Sequence, residues 1–289
     1  MIWDHLRKQL SNDAIGSLGT PTPISGGCIS KAFHWGPYFV KTNHITHSAM
    51  FRAESDGLMA IADSRCVTTP VVILCSEYDS QAYLVLDHID MGAPPNPRQL
   101  GKELTRMHQQ TARNHARPTF GWHQDNFIGS TPQNNGWNAN WSDFWRKQRL
   151  EPMLNRCLNL GFEFPRSQQL LERIPDILAD HHPAPSLVHG DLWTGNADYT
   201  TNKTSGSSTP VLFDPAVYLG DREVDLAMSE LFGSFGPAFW KGVDEVWPLP
   251  PGYQRRRELY NLYHILNHTV LFGASYANQA QTMILNLCR

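Results

Sequence analysis

Two acidic turns constrain what this chain can fold into more than any other feature. The run Ser186-Leu187-Val188 reads as a short buried strand, and it leads into a turn that presents Asp191, with Asn196 five positions later. A second apolar run, Val211-Leu212-Phe213, delivers Asp214, and the polar stretch 200–209 reads as the hairpin between them. This order of strand, acidic turn, strand, acidic turn supplies three oxygen-bearing side chains. Hard oxygen ligands of that kind hold a divalent cation. A lone His-Gly-Asp is also what a plain β-turn uses to cap its backbone, and the register of Asn196 and Asp214 with Asp191 argues for chemistry instead.

At 289 residues the chain is long enough for one large or two modest cores. With 41% hydrophobic and 18% charged residues and a net charge of -3, it reads as an ordinary globular protein, with no nucleic-acid or membrane partner expected. No stretch approaches the roughly 20 apolar residues of a membrane span. The N-terminus lacks the apolar centre of a signal peptide, so a cytoplasmic location is expected. The five cysteines (28, 66, 75, 157 and 288) are widely spaced with no Cys-x-x-Cys pair, so reduced and mostly buried thiols are expected.

Residues 1–12 read as a short helix with Trp3, Leu6 and Leu10 on one side. Between 24 and 35 a glycine pair, Gly26-Gly27, sits between apolar flanks, as in a hairpin whose tip lets backbone N–H groups approach phosphate oxygens. Tyr38-Phe39-Val40-Lys41 is an apolar strand ending in a lysine, and the helical segment 50–61 carries Glu54, placed to turn inward and pair with it. Strands return at 71–75 and 83–86 around a turn at 77–80. The proline-rich stretch after Asp87-His88-Ile89 then marks a boundary, giving lobes 1–90 and 91–289.

Beyond it, 100–110 and 141–150 have helical spacing, and 120–129 reads as a loop rich in aromatics and glycine. Residues 167–181 read as a helix interrupted at Pro175, and His181-His182 as loop residues. From 221 to 232 a helix is expected with Asp221 as its N-cap and Asp225 in the first turn. A last helix over 259–272 leaves His264 and His268 at the edge of the core.

Asp-x-x-x-x-Asn is the spacing that kinases use, with the Asp orienting the attacking hydroxyl and the Asn holding magnesium on ATP. Ser25 to Ser30, Phe39-Val40-Lys41, Leu84 to Ile89, the 120–129 loop, His189 to Asn196, Phe213 to Ala216, Gly220 to Met228 and Leu262 to His268 together resemble the fructosamine-3-kinase (ketosamine kinase) family over nearly the whole chain. His-Gly-Asp alone is shared with aminoglycoside and choline kinases. Trp193 within that motif, Phe-Asp-Pro-Ala after it, and the Trp122 and Trp145 segments narrow the resemblance.

The resemblance implies an α+β, two-lobed protein-kinase-like fold: a small N-terminal antiparallel-sheet lobe with one helix, and a larger, mainly helical C-terminal lobe. It implies an ATP- and Mg2+-dependent kinase acting on the O3 hydroxyl of ketosamines, free or on glycated protein, whose product breaks down to release the amine. Asp191 is then the base, and Asn196 and Asp214 hold magnesium. Lys41, paired with Glu54, contacts the phosphates beside Gly26 and Gly27. Asp87 C=O and Ile89 N–H read adenine, and Trp193 is the platform for the sugar. Asp225 either braces the catalytic turn or caps its own helix.

Two departures from protein kinases stand out. Gly190 replaces the arginine of His-Arg-Asp, and no long segment follows Asp214, so constitutive activity is expected of a chain that is a monomer or a dimer. Cys28 in the phosphate loop is a candidate for redox inhibition. The other readings are an aminoglycoside- or choline-type small-molecule kinase and a non-catalytic nucleotide-binding adaptor. The intact Lys41, Glu54, Asp191, Asn196 and Asp214 argue against the adaptor.

Overall fold

Strands rich in β-branched and aromatic residues within 22–44 and 72–87 build the first layer. The computed structural model describes residues 2–10, 18–24, 29–114 and 119–289. Five antiparallel strands form one sheet in the order β1 (Thr22–Ile24), β2 (Lys31–Trp35), β3 (Tyr38–His44), β5 (Gln81–Asp87), β4 (Val72–Tyr78). β5 is buried on both faces. Ala82, Leu84 and Leu86 meet Phe51 and Leu58 of helix α2 (Ser48–Asp63), while Tyr83 and Val85 meet Leu6 of α1 (Ile2–Gln9) together with Trp35 and Val40.

Helix α2 is shared between the two halves of the molecule. Its last turn sends Ile61 into a second core with Leu100 and Leu104 of α3 (Pro97–Asn114), Leu187 of β8 (Ser186–Val188) and Leu212 of β10 (Ser208–Leu212). Just beyond it, Leu212 N–H donates to Thr68 C=O at 2.9 Å. The remaining core surrounds α9 (Tyr253–Phe272), which is buried all round from Leu259 to Asn267, polar side chains included. The α+β, two-lobed arrangement expected from the resemblance is the one observed.

Several elements differ from expectation. β4 runs on to Tyr78, so the turn tightens to Asp79 and Ser80, with Asp79 at φ 55°. The aromatic loop forms a small hairpin, β6 (Asn126–Ile128) with β7 (Thr131–Gln133), because buried amides rather than alternating apolar residues fix it. The helix begun by α4 (Trp141–Phe144) continues through a wide π-turn at Trp145–Leu150 into α5 (Glu151–Asn159). In α6 (Ser167–Ile177) Pro175 lies in the last turn and costs only one backbone bond, so the helix passes it before stopping short of 181. α7 (Glu223–Met228) is a single buried piece that ends well before 232. Helices α8 (Pro237–Val246) and α10 (Ala274–Leu287) complete the lobe. Of the four described cysteines, Cys157 and Cys288 are buried, whereas Cys66 and Cys75 are half-buried.

Candidate active site

β8 does not pair with the hairpin that follows it. Its partner is β11 (Tyr218–Gly220), while β9 (Ala197–Thr201) and β10 pair with each other. Both acidic turns therefore leave neighbouring short ladders at the same edge and face one cleft of about 830 Å³. Asp191, Asn196 and Asp214 line it from below, Lys41 and Glu54 from the sheet side, and Asp87, His88 and Ile89 from the crossing between lobes.

The turns are locked together by backbone. Ala216 N–H donates to His189 C=O at 2.8 Å, and the ring of His189 donates through Nε2 to Phe213 C=O at 3.0 Å. The other ring nitrogen, Nδ1, accepts Asp191 N–H at 3.3 Å, so His189 is neutral, and burial holds its pKa below the usual value. Gly190 stands at φ +82°, and a Cβ there would come within 2.1 Å of Ala216 C=O. This close approach excludes the arginine that protein kinases carry at this position. Asp225 lies beneath the turn and accepts from His189 N–H and Gly190 N–H, each at 2.8 Å, while His108 Nε2 is 2.9 Å away. Of the two readings of Asp225, bracing of the turn that carries Asp191 is the one the hydrogen bonds support. Asp221 does accept the N–H of Glu223 at 3.1 Å, although the helix it precedes is short.

Asn196 Nδ2 donates to Asp191 C=O at 2.9 Å and to its carboxylate Oδ2 at 3.2 Å. Both amide protons are thus occupied by Asp191, and the hard Oδ1 is left for a cation. Asp214, at φ 55°, is half exposed at the mouth. A carboxylate and an amide oxygen on adjacent turns fit magnesium. Burial raises Asp191 to about 7, reinforced by Asp214 and opposed by Asn196. That is where a general base works best at neutral pH. Lys41 Nζ donates to Glu54 at 2.7 Å and also pairs with Asp214. Burial opposes its charge, but the two carboxylates outweigh it and hold the ammonium well above its usual range. Burial likewise lifts Glu54 to about 7 against the pull of Lys41.

Trp193 is 37% exposed, so it is not a core residue beneath the loop. It lines the cleft with its ring over Gly195, where a Cβ would meet it at 2.4 Å. Gly26, Gly27 and Cys28 lie outside the described residues. The flanks of their hairpin do pair, β1 with β2.

Two features went unread in the sequence. Trp122 Nε1 donates to Asp56 of α2 at 2.6 Å, and His123 Nε2 lies 3.3 Å from the other oxygen of the same carboxylate. Gly57 packs so near Pro215 that a Cβ would stand 3.0 Å from its ring. The second feature is His181, which is not a free loop residue. Its Nε2 sits 2.6 Å from Asp221, and Glu223 completes a group whose ligating atoms fall within 4.8 Å. Tyr260 donates to Asp221 and Arg256 pairs with Glu223 through two nitrogens, so this group is already satisfied.

A two-lobed fold with a lysine facing paired acidic turns defines a protein-kinase-like phosphotransferase. An aminoglycoside phosphotransferase solved with ADP shares that fold, with a TM-score of 0.64 at 14% identity over 100% of this chain and 96% of its own. A crystal structure from Haemophilus somnus carrying a provisional fructosamine-3-kinase name superposes with a TM-score of 0.84, at 26% identity over 94% of this chain and 92% of that one. The fructosamine kinase family pattern matches residues 2–289, and the chain belongs to that family. A probable ketoamine kinase of Synechocystis is 41% identical over 99% of this chain and 97% of its own length. The chloroplastic protein-ribulosamine 3-kinase of Arabidopsis thaliana is 36% identical over 93% of this chain and 81% of its own. No helix among the described residues is long and apolar enough to cross a membrane.

Proposed function

We propose that this protein is an ATP-dependent ketosamine-3-kinase. The observation that carries the reading is the convergence of Asp191, Asn196, Asp214, Lys41 and Glu54 on one cleft, in a chain of the fructosamine kinase family. The N-terminal lobe, 1–90, takes the nucleotide. Asp87 C=O and Ile89 N–H meet the adenine edge, and Lys41 is held by Glu54 against the phosphates, with Gly26 and Gly27 beside them. The lobe 91–289 carries the acceptor, whose sugar ring lies on the face of Trp193.

Asp191 accepts the proton of the O3 hydroxyl as that oxygen bonds to the γ-phosphorus, and the bond from phosphorus to the β,γ-bridging oxygen breaks to release ADP. Asn196 and Asp214 are the residues that would hold magnesium, which supplies charge neutralisation on the phosphates. The phosphorylated ketosamine then breaks down and frees its amine, so the cellular effect is deglycation of small amines or of protein lysines. We place this activity in the cytoplasm, on a monomer.

ATP consumption assayed side by side with fructosamine, ribulosamine and kanamycin tests the reading. Turnover with either ketosamine and none with kanamycin is the expected result. Turnover confined to kanamycin would make the protein an aminoglycoside-type kinase, and none with any acceptor would favour a nucleotide-binding adaptor.

A further inference from the structure

Helix α9 carries a group that the mechanism above leaves without a task. His264 lies in the middle of α9, is 1% exposed, and neither of its ring nitrogens has a hydrogen-bond partner among the described residues. A buried N–H without an acceptor costs as much as a lost hydrogen bond, so a chain has no structural reason to keep one. The residues one position before and four after it do find partners. His268 Nδ1 donates to His264 C=O at 2.8 Å, and Tyr263 OH donates to Gln133 at 2.8 Å. His264 points elsewhere, with its Nδ1 standing 3.9 Å from Oδ1 of Asp191, the oxygen that Asn196 does not hold.

We infer that His264 is the positioning residue of the catalytic carboxylate: its Nδ1–H closes onto Asp191 Oδ1 when nucleotide and acceptor are bound. The gap to be closed is about 1 Å, the reach of a small rotation of the Asp191 side chain within its own lobe. Asn196 on Oδ2 and His264 on Oδ1 then fix the carboxylate plane from two sides, and the remaining lone pairs face the incoming hydroxyl. Burial holds His264 near 3, so the ring stays neutral and acts as a donor, never as a competing base. This inference rests on the assignment of Asp191 as the base.

The test compares His264→Leu, which fills the space without a donor, with His264→Asn, whose amide places an N–H where Nδ1 stood. Removing a partnerless polar group leaves a fold as stable or more so. His264→Leu is therefore expected to keep or raise Tm and to leave KM for ATP within about twofold, while kcat with an N-alkyl fructosamine falls about tenfold or more, the value of one charge-assisted hydrogen bond. His264→Asn should recover kcat to within a few-fold of wild type. In the wild-type protein a low-field imidazole N–H proton resonance, absent from His264→Asn, should appear on adding Mg-AMP-PNP with the acceptor, a measurement that stands even if the leucine variant does not fold.

A leucine variant turning over within threefold of wild type would overturn the inference. So would leucine and asparagine variants that lose kcat and Tm together, or no new resonance in the ternary complex. Asp191→Asn run in parallel separates the two readings. If it retains turnover, the base assignment itself fails, whereas if it is inactive and His264→Leu is not, only the role of His264 fails.

Discussion

A single carboxylate at the end of β8 sets what the site can do. Asp191→Asn removes proton acceptance but keeps the shape, so kcat should fall by at least about 10² while ATP still binds. Turnover within a few-fold of wild type would refute the assignment. Asp214→Ala should weaken nucleotide binding only when magnesium is present, and isothermal titration of ATP with and without the cation reads this directly. That these residues would meet in one cleft was legible in the sequence, because their spacing along two turns is local. The place of Trp193 on the cleft wall was legible for the same reason, as part of the same turn. Asp225 was legible only as two alternatives, because its partners, the N–H groups of His189 and Gly190, lie far away in the chain. His264 was not legible: a histidine among leucines at helical spacing reads as core edge, and only the fold shows that its ring faces Asp191.

Among the elements, helix α2 is the one on which both lobes depend. The sheet holds it through Phe51 and Leu58, the larger lobe holds it through Ile61, and the Asp56 to Trp122 hydrogen bond pins it from outside. Glu54 is therefore presented to Lys41 by a helix that is not free to swing. Trp122→Phe should raise KM for ATP roughly several-fold, as expected for one lost hydrogen bond. Asp56→Ala should do the same, Asp56→Asn should not, and the double variant Asp56→Ala with Trp122→Phe should be no worse than either single change. An additive double variant would show that the two residues act separately. Periodic strands and long helices could be read from sequence, whereas the β6–β7 hairpin could not. Its order comes from Asn126, Gln133 and Asn135 bonding one another and the carbonyls of Val217 and Ala216, a network assembled only by tertiary contact. The pairing of β8 with β11 is nonlocal in the same way.

At the scale of the molecule, buried histidines that stay neutral weaken the fold in acid. Burial lowers His189 and His264 from the ordinary value of 6.5, and puts His264 at about 3. Between those limits the unfolded chain takes up protons that the folded chain refuses, so stability is lost as pH falls from about 6.5, by about 1.4 kcal/mol per pH unit for each such proton. Asp225 adds to the loss only at lower pH. Burial opposes its charge, but His108 overrides this and holds it below the usual carboxylate range. Asp191 and Glu54, raised to about 7, act in the opposite sense, because the folded chain takes up their protons before the unfolded chain does. The test is therefore the difference, and between pH 7 and pH 5 the urea midpoint of the wild-type protein should fall relative to that of His264→Asn. The same pH dependence in both proteins would show that the His264 ring is charged in the native state.

The double allegiance of α2 also decides where the polypeptide can be severed. Two fragments divided near residue 90, at the apparent seam, would part Ile61 and the Thr68 carbonyl from the surfaces they complete, and should not reassemble into active enzyme without a tether. A break in the solvent-facing tip at 202–207, although it falls between the two acidic turns, interrupts no such shared packing and should leave a nicked protein that still works.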